Sequence, residues 1–318
     1  MNSLGSLIVR RLAFAILTLF IISVLISVGV ELLPGDLARS LLGQMATPET
    51  LAALRKELGL DQPYHIRYLA WLGDVFRWDL GRSLANNILV SELIGVRLEN
   101  TLFLAAVAAV IAVPVSVILG LVAALYRESF FDKFVSMTTL TTISFPEFLV
   151  AYILMVIFSV QFPFFPSMAN VTHDMAFWDR LHAVALPVMT LVLVVVAHMM
   201  RLTRAAIINV LSRPYIEMAE LKGMSSAWII VWHALPNSLA PIINVIVINI
   251  AYLVVGVVVV EVVFVYPGLG QLLVDSVSNR DLPVVQASGL IFAATFIFLN
   301  LTADILSILA NPRLRHPK

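Results

Sequence analysis

The sequence predicts an all-α integral membrane protein with about six transmembrane helices. Three observations carry that expectation. Apolar residues make up 60% of the chain, six stretches are each long enough and apolar enough to span a bilayer, and basic residues gather in alternate short loops. A soluble domain must turn its outer shell to water and cannot hide so much apolar surface, whereas a chain surrounded by lipid can. Charged residues are only 13%, and the mean hydropathy is +0.97. The formal net charge of +0 exerts no pull toward nucleic acid. The absence of cysteine excludes disulfides, thiolate metal sites and a cysteine nucleophile.

A spanning helix needs about 20 predominantly apolar residues. The candidates are 12–33, 101–125, 134–158, 186–200 (beginning a few residues earlier), 242–265 and 286–309. The first is too long for a signal peptide, and no small-residue cleavage pattern follows it. Between spans one and two, Thr47 and Pro48 read as an N-cap with proline at the first helical position. Leu51, Leu54 and Leu58 then share a face, and Gly59 ends the helix. A second helix carries Ile66, Leu69, Leu72 and Phe76 as its apolar face. This stretch predicts small helices packed on the outer ends of the bundle.

Orientation follows from lysine and arginine in the short loops. One side collects Arg10, Arg11, Arg127, Lys133, Arg201, Arg204, Arg213, Lys222, Arg313, Arg315 and Lys318; the other has Arg180 and Arg280. Both termini are therefore expected in the cytoplasm, with 127–133 and 201–241 inside and 34–100, 159–185 and 266–285 outside.

The loop 201–241 is the most informative segment. Pro214 suits a first helical turn and Gly223 a left-handed exit. A second, apolar helix starts near Ser225 or Ser226, carries Trp228, Ile229, Val231 and Trp232, and ends around Pro236. Two short helices joined by a glycine bend form a compact cytoplasmic knob. Its sequence reads Glu217-Met218-Ala219, three residues, Gly223, nine residues, then His233-Ala234-Leu235-Pro236. This spacing resembles the Glu-Ala-Ala, three residues, Gly, nine residues, Ile-x-Leu-Pro pattern of ATP-binding-cassette (ABC) importer permeases. Met218 and His233 depart from it, and Glu217 and Glu220 stand where the peptide-importer branch often has arginine.

Other stretches are similar to the first-permease (B-type) subunits of the dipeptide, oligopeptide and nickel importers. They are Leu33-Pro34-Gly35-Asp36, Asp79-Leu80-Gly81-Arg82-Ser83, Arg97-Leu98-Glu99-Asn100-Thr101-Leu102, Tyr266-Pro267-Gly268-Leu269-Gly270 and Arg280-Asp281-Leu282-Pro283-Val284. At the end, Asn311-Pro312-Arg313 replaces the usual Asp-Pro-Arg. The resemblance implies the type I importer permease fold, divided into an N-terminal helix (1–33), a periplasmic helical segment (34–96), a transport core (97–309) and a cytoplasmic tail (310–318). It also implies a coupling helix that seats in a cleft of a cytoplasmic ATPase, with Glu217, Ala219, Glu220, Lys222, Gly223, His233, Leu235 and Pro236 as its residues. The implied partners are a second, similar permease, two ATPase subunits carrying ATP and Mg, and an extracytoplasmic solute-binding protein, all around a path through the inner membrane. Short peptides are the first cargo; nickel chelates, opines and other small solutes are the alternatives.

Ionisable groups inside a bilayer are costly and usually face the bundle interior. Glu147, Glu261 and Asp304 therefore have two readings: parts of the path or its gate, or hydrogen-bond partners that orient helices. Glu31 sits near the outer interface, within reach of water, and Pro146 can kink span three beside Glu147. The histidines, His173 and His182 among them, show no close ligand spacing, so no metal site is expected. There is no Gly-Lys-Ser/Thr phosphate loop and no catalytic set, so the chain itself is expected to be neither an ATPase nor another enzyme, and to need no cofactor. A secondary transporter could use the buried acids, but it would not need a knob of this spacing.

Overall fold

The computed structural model describes residues 4–32, 37–42, 46–172 and 174–310. The 33–36 motif, His173 and the tail from Asn311 onward lie outside the described residues. Helix α1 (Leu4–Glu31) is followed by three short helices, α2 (Leu37–Leu42), α3 (Pro48–Glu57) and α4 (Tyr64–Phe76). Then come α5 (Val90–Leu125), α6 (Phe130–Ser144), α7 (Glu147–Met155), α8 (Phe177–Ala183) and α9 (Ala185–Leu211). The chain finishes with α10 (Pro214–Leu221), α11 (Ser226–Ile229), α12 (Leu235–Val255), α13 (Val258–Val263), α14 (Leu269–Asn279) and α15 (Leu282–Ala310). Among the described residues the β pairing is a single bridge, Arg82 with Leu89.

Five stretches are singly long and apolar enough to cross a membrane, and α6 with α7 and its continuation to Gln161 passes the same test only as a pair, bent by 103°. The predicted kink in span three is thus a full break. Pro146 cannot continue a helix and pushes Phe145 into extended backbone (ψ 135°). Asp132 of α6 meets Arg204 near the C-terminus of α9, while Ala169, beyond α7, donates its N–H to the Phe264 carbonyl at 2.8 Å.

The core is the packing of α5 on α9. Ala108, Ala112, Ser116, Gly120 and Ala124 recur every fourth residue of α5 and are buried. Small residues let membrane helices approach closely. A Cβ on Gly120 would lie 2.9 Å from the Thr203 side chain and 3.0 Å from the Met200 carbonyl oxygen. Helix α12 packs on α9 and α15, and α1 lies against α15 at the edge of the bundle.

Two local expectations are corrected. The helix beginning at Ser226 does not end at Pro236: it passes through a π-helical stretch, Ile230–Ala234, into α12. Pro236 is the second residue of α12, directly after the π-helical stretch. The predicted apolar face of α4 also turns away from the bundle, with Leu69 62% and Phe76 79% exposed. What docks α4 is polar. The Tyr68 hydroxyl hydrogen-bonds Ser23 at 2.8 Å, and Arg67 pairs with Glu31. Both partners belong to α1, whose upper turns offer hydrogen-bonding groups that a leucine face could not satisfy. The predicted Thr47 cap is present, as a reciprocal capping box with Thr50, and Gly59 leaves α3 at φ +63°.

Candidate functional site

The loop between α9 and α12 folds into the expected knob. Pro214 opens α10, and Gly223 leaves it at φ +78°, a conformation L side chains rarely adopt. Its N–H reaches the Glu220 carbonyl at 2.8 Å, and the Met224 N–H reaches that of Ala219 at 3.3 Å. Ser225 then caps α11 by accepting from Trp228 N–H. Ile216, Ala219 and Ile229 bury against one another and Leu211, holding the two short helices together. Space around Gly223 is open, with no atom within 4 Å of a built Cβ. The glycine is therefore required by backbone conformation and not by crowding within this chain.

Around that small core the knob presents Glu217, Glu220 and Lys222 to solvent, beside an apolar surface. Met218, Leu221, Trp228 and Trp232 are all more than half exposed. His233 and Leu235 are half-buried, and Pro236 is exposed. The His233 carbonyl accepts from the Asn237 amide at 2.7 Å.

At the opposite end of the bundle, two of the resembled stretches meet around Glu261. This residue is fully buried in α13. Its carboxylate accepts from the Thr101 hydroxyl (2.6 Å) and from the Gly270 and Gln271 N–H groups (2.7 and 3.0 Å). Thr101 Oγ1 in turn accepts from Leu269 N–H at 2.8 Å. Glu261 and Thr101 together satisfy the first turn of α14, whose free N–H groups and positive dipole end favour an acid. Gly268 belongs to this arrangement, because a Cβ there would overlap the Glu261 carboxylate.

Asn100 extends the network. Its amide donates to the Pro267 carbonyl at 2.8 Å and accepts from Arg180 at 2.8 Å, while Tyr266 donates its hydroxyl to the Asn100 carbonyl at 2.7 Å. Burial pushes the Tyr266 phenol up, so it stays a donor at physiological pH. The Arg180 guanidinium also lies 4.0 Å from the centre of the Phe103 ring. Sequence reasoning placed Arg180 only as an outer loop charge. The adjacent polar pair Asn100-Thr101, at the head of an apolar run, was the signal that this end carries a network.

A second tie joins two further resembled stretches. The Ser83 hydroxyl donates to the buried Asp281, which also accepts from Leu84 N–H at 3.0 Å. Glu147 stands apart from both ties, directly after the break in span three. Its Oε2 accepts from the Tyr252 hydroxyl at 3.2 Å, and its buried Oε1 has no protein partner. Gly256, where α12 gives way to α13, lies against the Tyr252 ring. Two helix breaks thus adjoin one acidic side chain. Asp304 falls within α15, and its side chain lies outside the described ones. An ion pair that the sequence reading passed over is bidentate: Arg204 Nε and Nη2 each sit 2.7 Å from an oxygen of Asp132. Among the described residues, no group of three or more His, Asp or Glu could hold a metal ion.

Comparison with known proteins gives matches along the chain. Residues 116–316 match the family profile described as binding-protein-dependent transport system inner membrane component, and residues 4–105 match the N-terminal profile of the same systems. The glutathione transport system permease protein GsiC of Salmonella paratyphi A is 38% identical over 309 residues, covering 97% of this chain and 98% of that protein. A putative peptide transport system permease protein of Brucella abortus is 38% identical over 311 residues, covering 98% and 99%.

Proposed function

The chain belongs to the family of binding-protein-dependent transport system inner membrane components, permease subunits of ATP-driven importers that form part of the translocation path; from that premise we propose that it moves short peptides inward, driven through the knob at Gly223. Glutathione, named for the Salmonella relatives, is itself a tripeptide, which supports a peptide-sized cargo. Systems of this family combine paired permeases, ATPase subunits and a binding protein. Here the knob marks the cytoplasmic side, consistent with the basic loops, and both termini lie on that side. One ATPase cleft receives the knob's exposed Met218, Leu221 and Trp228, with Glu217, Glu220 and Lys222 at the rim. An apolar centre with a charged rim is the usual anatomy of a protein interface. The second ATPase takes the corresponding knob of the second permease, and the binding protein delivers cargo to the end that carries α4, α8 and α14.

The observation that carries this reading is the rigid bend at Gly223, held by its own hydrogen bonds above a buried Ile216–Ala219–Ile229 core. A knob of that kind transmits ATPase closure to α9 and α12 as a rigid lever. Glu147 and Tyr252, placed where two spans break, are the proposed gate, because that is where a push on α12 meets a discontinuity in its neighbour.

The test is Gly223→Val in the complete importer reconstituted in vesicles. A β-branched residue at φ +78° costs roughly 1–3 kcal/mol locally and should leave insertion intact. Uptake of a short peptide is expected to fall at least about tenfold while ATP hydrolysis continues. Normal uptake by a correctly assembled Gly223→Val importer would overturn the coupling role. Ligand binding to the partner binding protein tests the cargo separately.

A further inference from the structure

Helix α4 carries an apolar flank that the described residues leave uncovered. Leu69 is 62% exposed and Phe76 79%, and Trp78, just past the helix, is 91% exposed. Two bonds to α1 fix how α4 is rolled. Arg67 pairs with Glu31, the last residue of α1, and the Tyr68 hydroxyl hydrogen-bonds Ser23, eight residues earlier in α1, at 2.8 Å. Each helical residue turns about 100° from the one before. Going round α4 from Arg67 to Tyr68 and onward, the next side chains are Leu72, His65, Phe76 and Leu69. Going round the other way, the charged side chains are Asp74 and then Arg77, which pair with each other at 3.8 Å. The apolar flank thus adjoins the residue that reaches into the span, and the charged flank adjoins the residue that reaches its end.

Depth decides what covers the apolar flank. From Arg11 to Glu31, α1 rises over about 20 residues, or about 30 Å, the thickness of the hydrocarbon core. With the arginines at one boundary, Glu31 stands at the other, and Ser23 lies about 12 Å inside it. The Tyr68 ring therefore hangs below the boundary, and Leu72, Phe76 and Leu69 follow it round. Leu25, two residues from Ser23, is 63% exposed, so α1 itself presents apolar surface at this level. A water-soluble partner cannot reach a surface at that depth. Trp78 and the adjoining rings of Tyr64, Tyr68 and Trp71 suit the membrane interface, where tryptophan and tyrosine are enriched.

We propose that α4 is an interfacial helix: it lies at the membrane boundary at the Glu31 end of α1, with the flank of Leu69 and Phe76 set in lipid and Asp74 and Arg77 turned to water. A helix with one apolar and one charged side buries the apolar side about 5–10 Å into the headgroup and acyl boundary. The proposal holds whichever solute is carried.

The chain has no cysteine, so single cysteines report on single positions. Leu69→Cys, Phe76→Cys, Asp74→Cys and Arg77→Cys are each labelled with bimane in the complete importer, its other subunits made cysteine-free. The nanodiscs are prepared with and without phosphatidylcholine brominated near the glycerol end of its acyl chains. All four side chains project from the surface, so replacing them leaves the fold intact. Brominated lipid should quench the labels at 69 and 76 at least about threefold more than those at 74 and 77, and aqueous iodide should give the reverse order, as an interfacial helix requires. Equal quenching of the four labels by either agent would overturn the proposal, because the two flanks would then share one environment. Labels at 69 and 76 shielded from both agents would overturn it as well, because another protein would then cover the flank.

Discussion

Glu261 places a carboxylate in the fully buried interior and leaves neither oxygen unpartnered: one accepts from Thr101, the other from two N–H groups of α14. Its geometry accounts for the acid by structural means, and the side chain caps a helix at the end away from the knob. Glu261→Ala should therefore orphan the Gly270 and Gln271 N–H groups at a cost of roughly 1–3 kcal/mol for each buried donor left unmade. The expected readout is a lower Tm of the purified permease, with Gly268→Ala giving a similar loss by crowding the same carboxylate. A wild-type Tm in both variants would remove Glu261 from the network described here. The sequence marked this residue by the cost of an acid in an apolar run. It did not show Thr101 as its partner, because that pairing joins residues 160 positions apart.

Elements behaved as sequence patterns do when local chemistry decides. The Thr47 cap, the Pro214 start and the Gly223 exit each depend on a few neighbouring residues, and each is present. Two elements departed for reasons that are not local. Helix α4 turned its polar-aromatic face inward because α1 offers Ser23 and Glu31. The knob's second helix ran on into α12 because a π-helical stretch absorbs the approach to Pro236. The α5–α9 pairing belongs to this scale too. Its four-residue stripe of small side chains was present in the sequence but is silent until a partner helix is known. Gly120→Leu should force the helices apart and cost about 1–3 kcal/mol, the usual penalty for overpacking. Thermal unfolding in detergent should show the shift, whereas Gly95→Leu, with nothing within 4 Å of a built Cβ, should show little. Equal effects at the two glycines would mean that the loss reflects leucine itself and not close packing.

Across the whole molecule, the arrangement is a compact knob at one end and polar ties at the other. The tie between Ser83 and Asp281 fastens the stretch before α5 to the start of α15, residues 198 positions apart. Asp281→Ala should leave the Ser83 hydroxyl without its acceptor and the Leu84 N–H without a partner, and loosen residues 78–89. Faster proteolysis of that stretch in the detergent-solubilised protein, with the bundle intact, is the expected outcome; unchanged cleavage would show that the tie does not hold it. If this end receives the binding protein, the same variant should also weaken that docking.

The sequence by itself determined the class of protein, the approximate spans and the knob. Hydrophobicity, cap chemistry and short-range spacing are properties of contiguous residues and can be read without a fold. The tertiary structure alone decided which polar residues inside the bundle are satisfied, why α4 faces as it does, and that Pro146 breaks its span by 103°. Hydrogen bonds and close helix contacts are made between residues far apart in the chain, and a buried acid such as Glu261 can be read as a helix cap only when its neighbours are known.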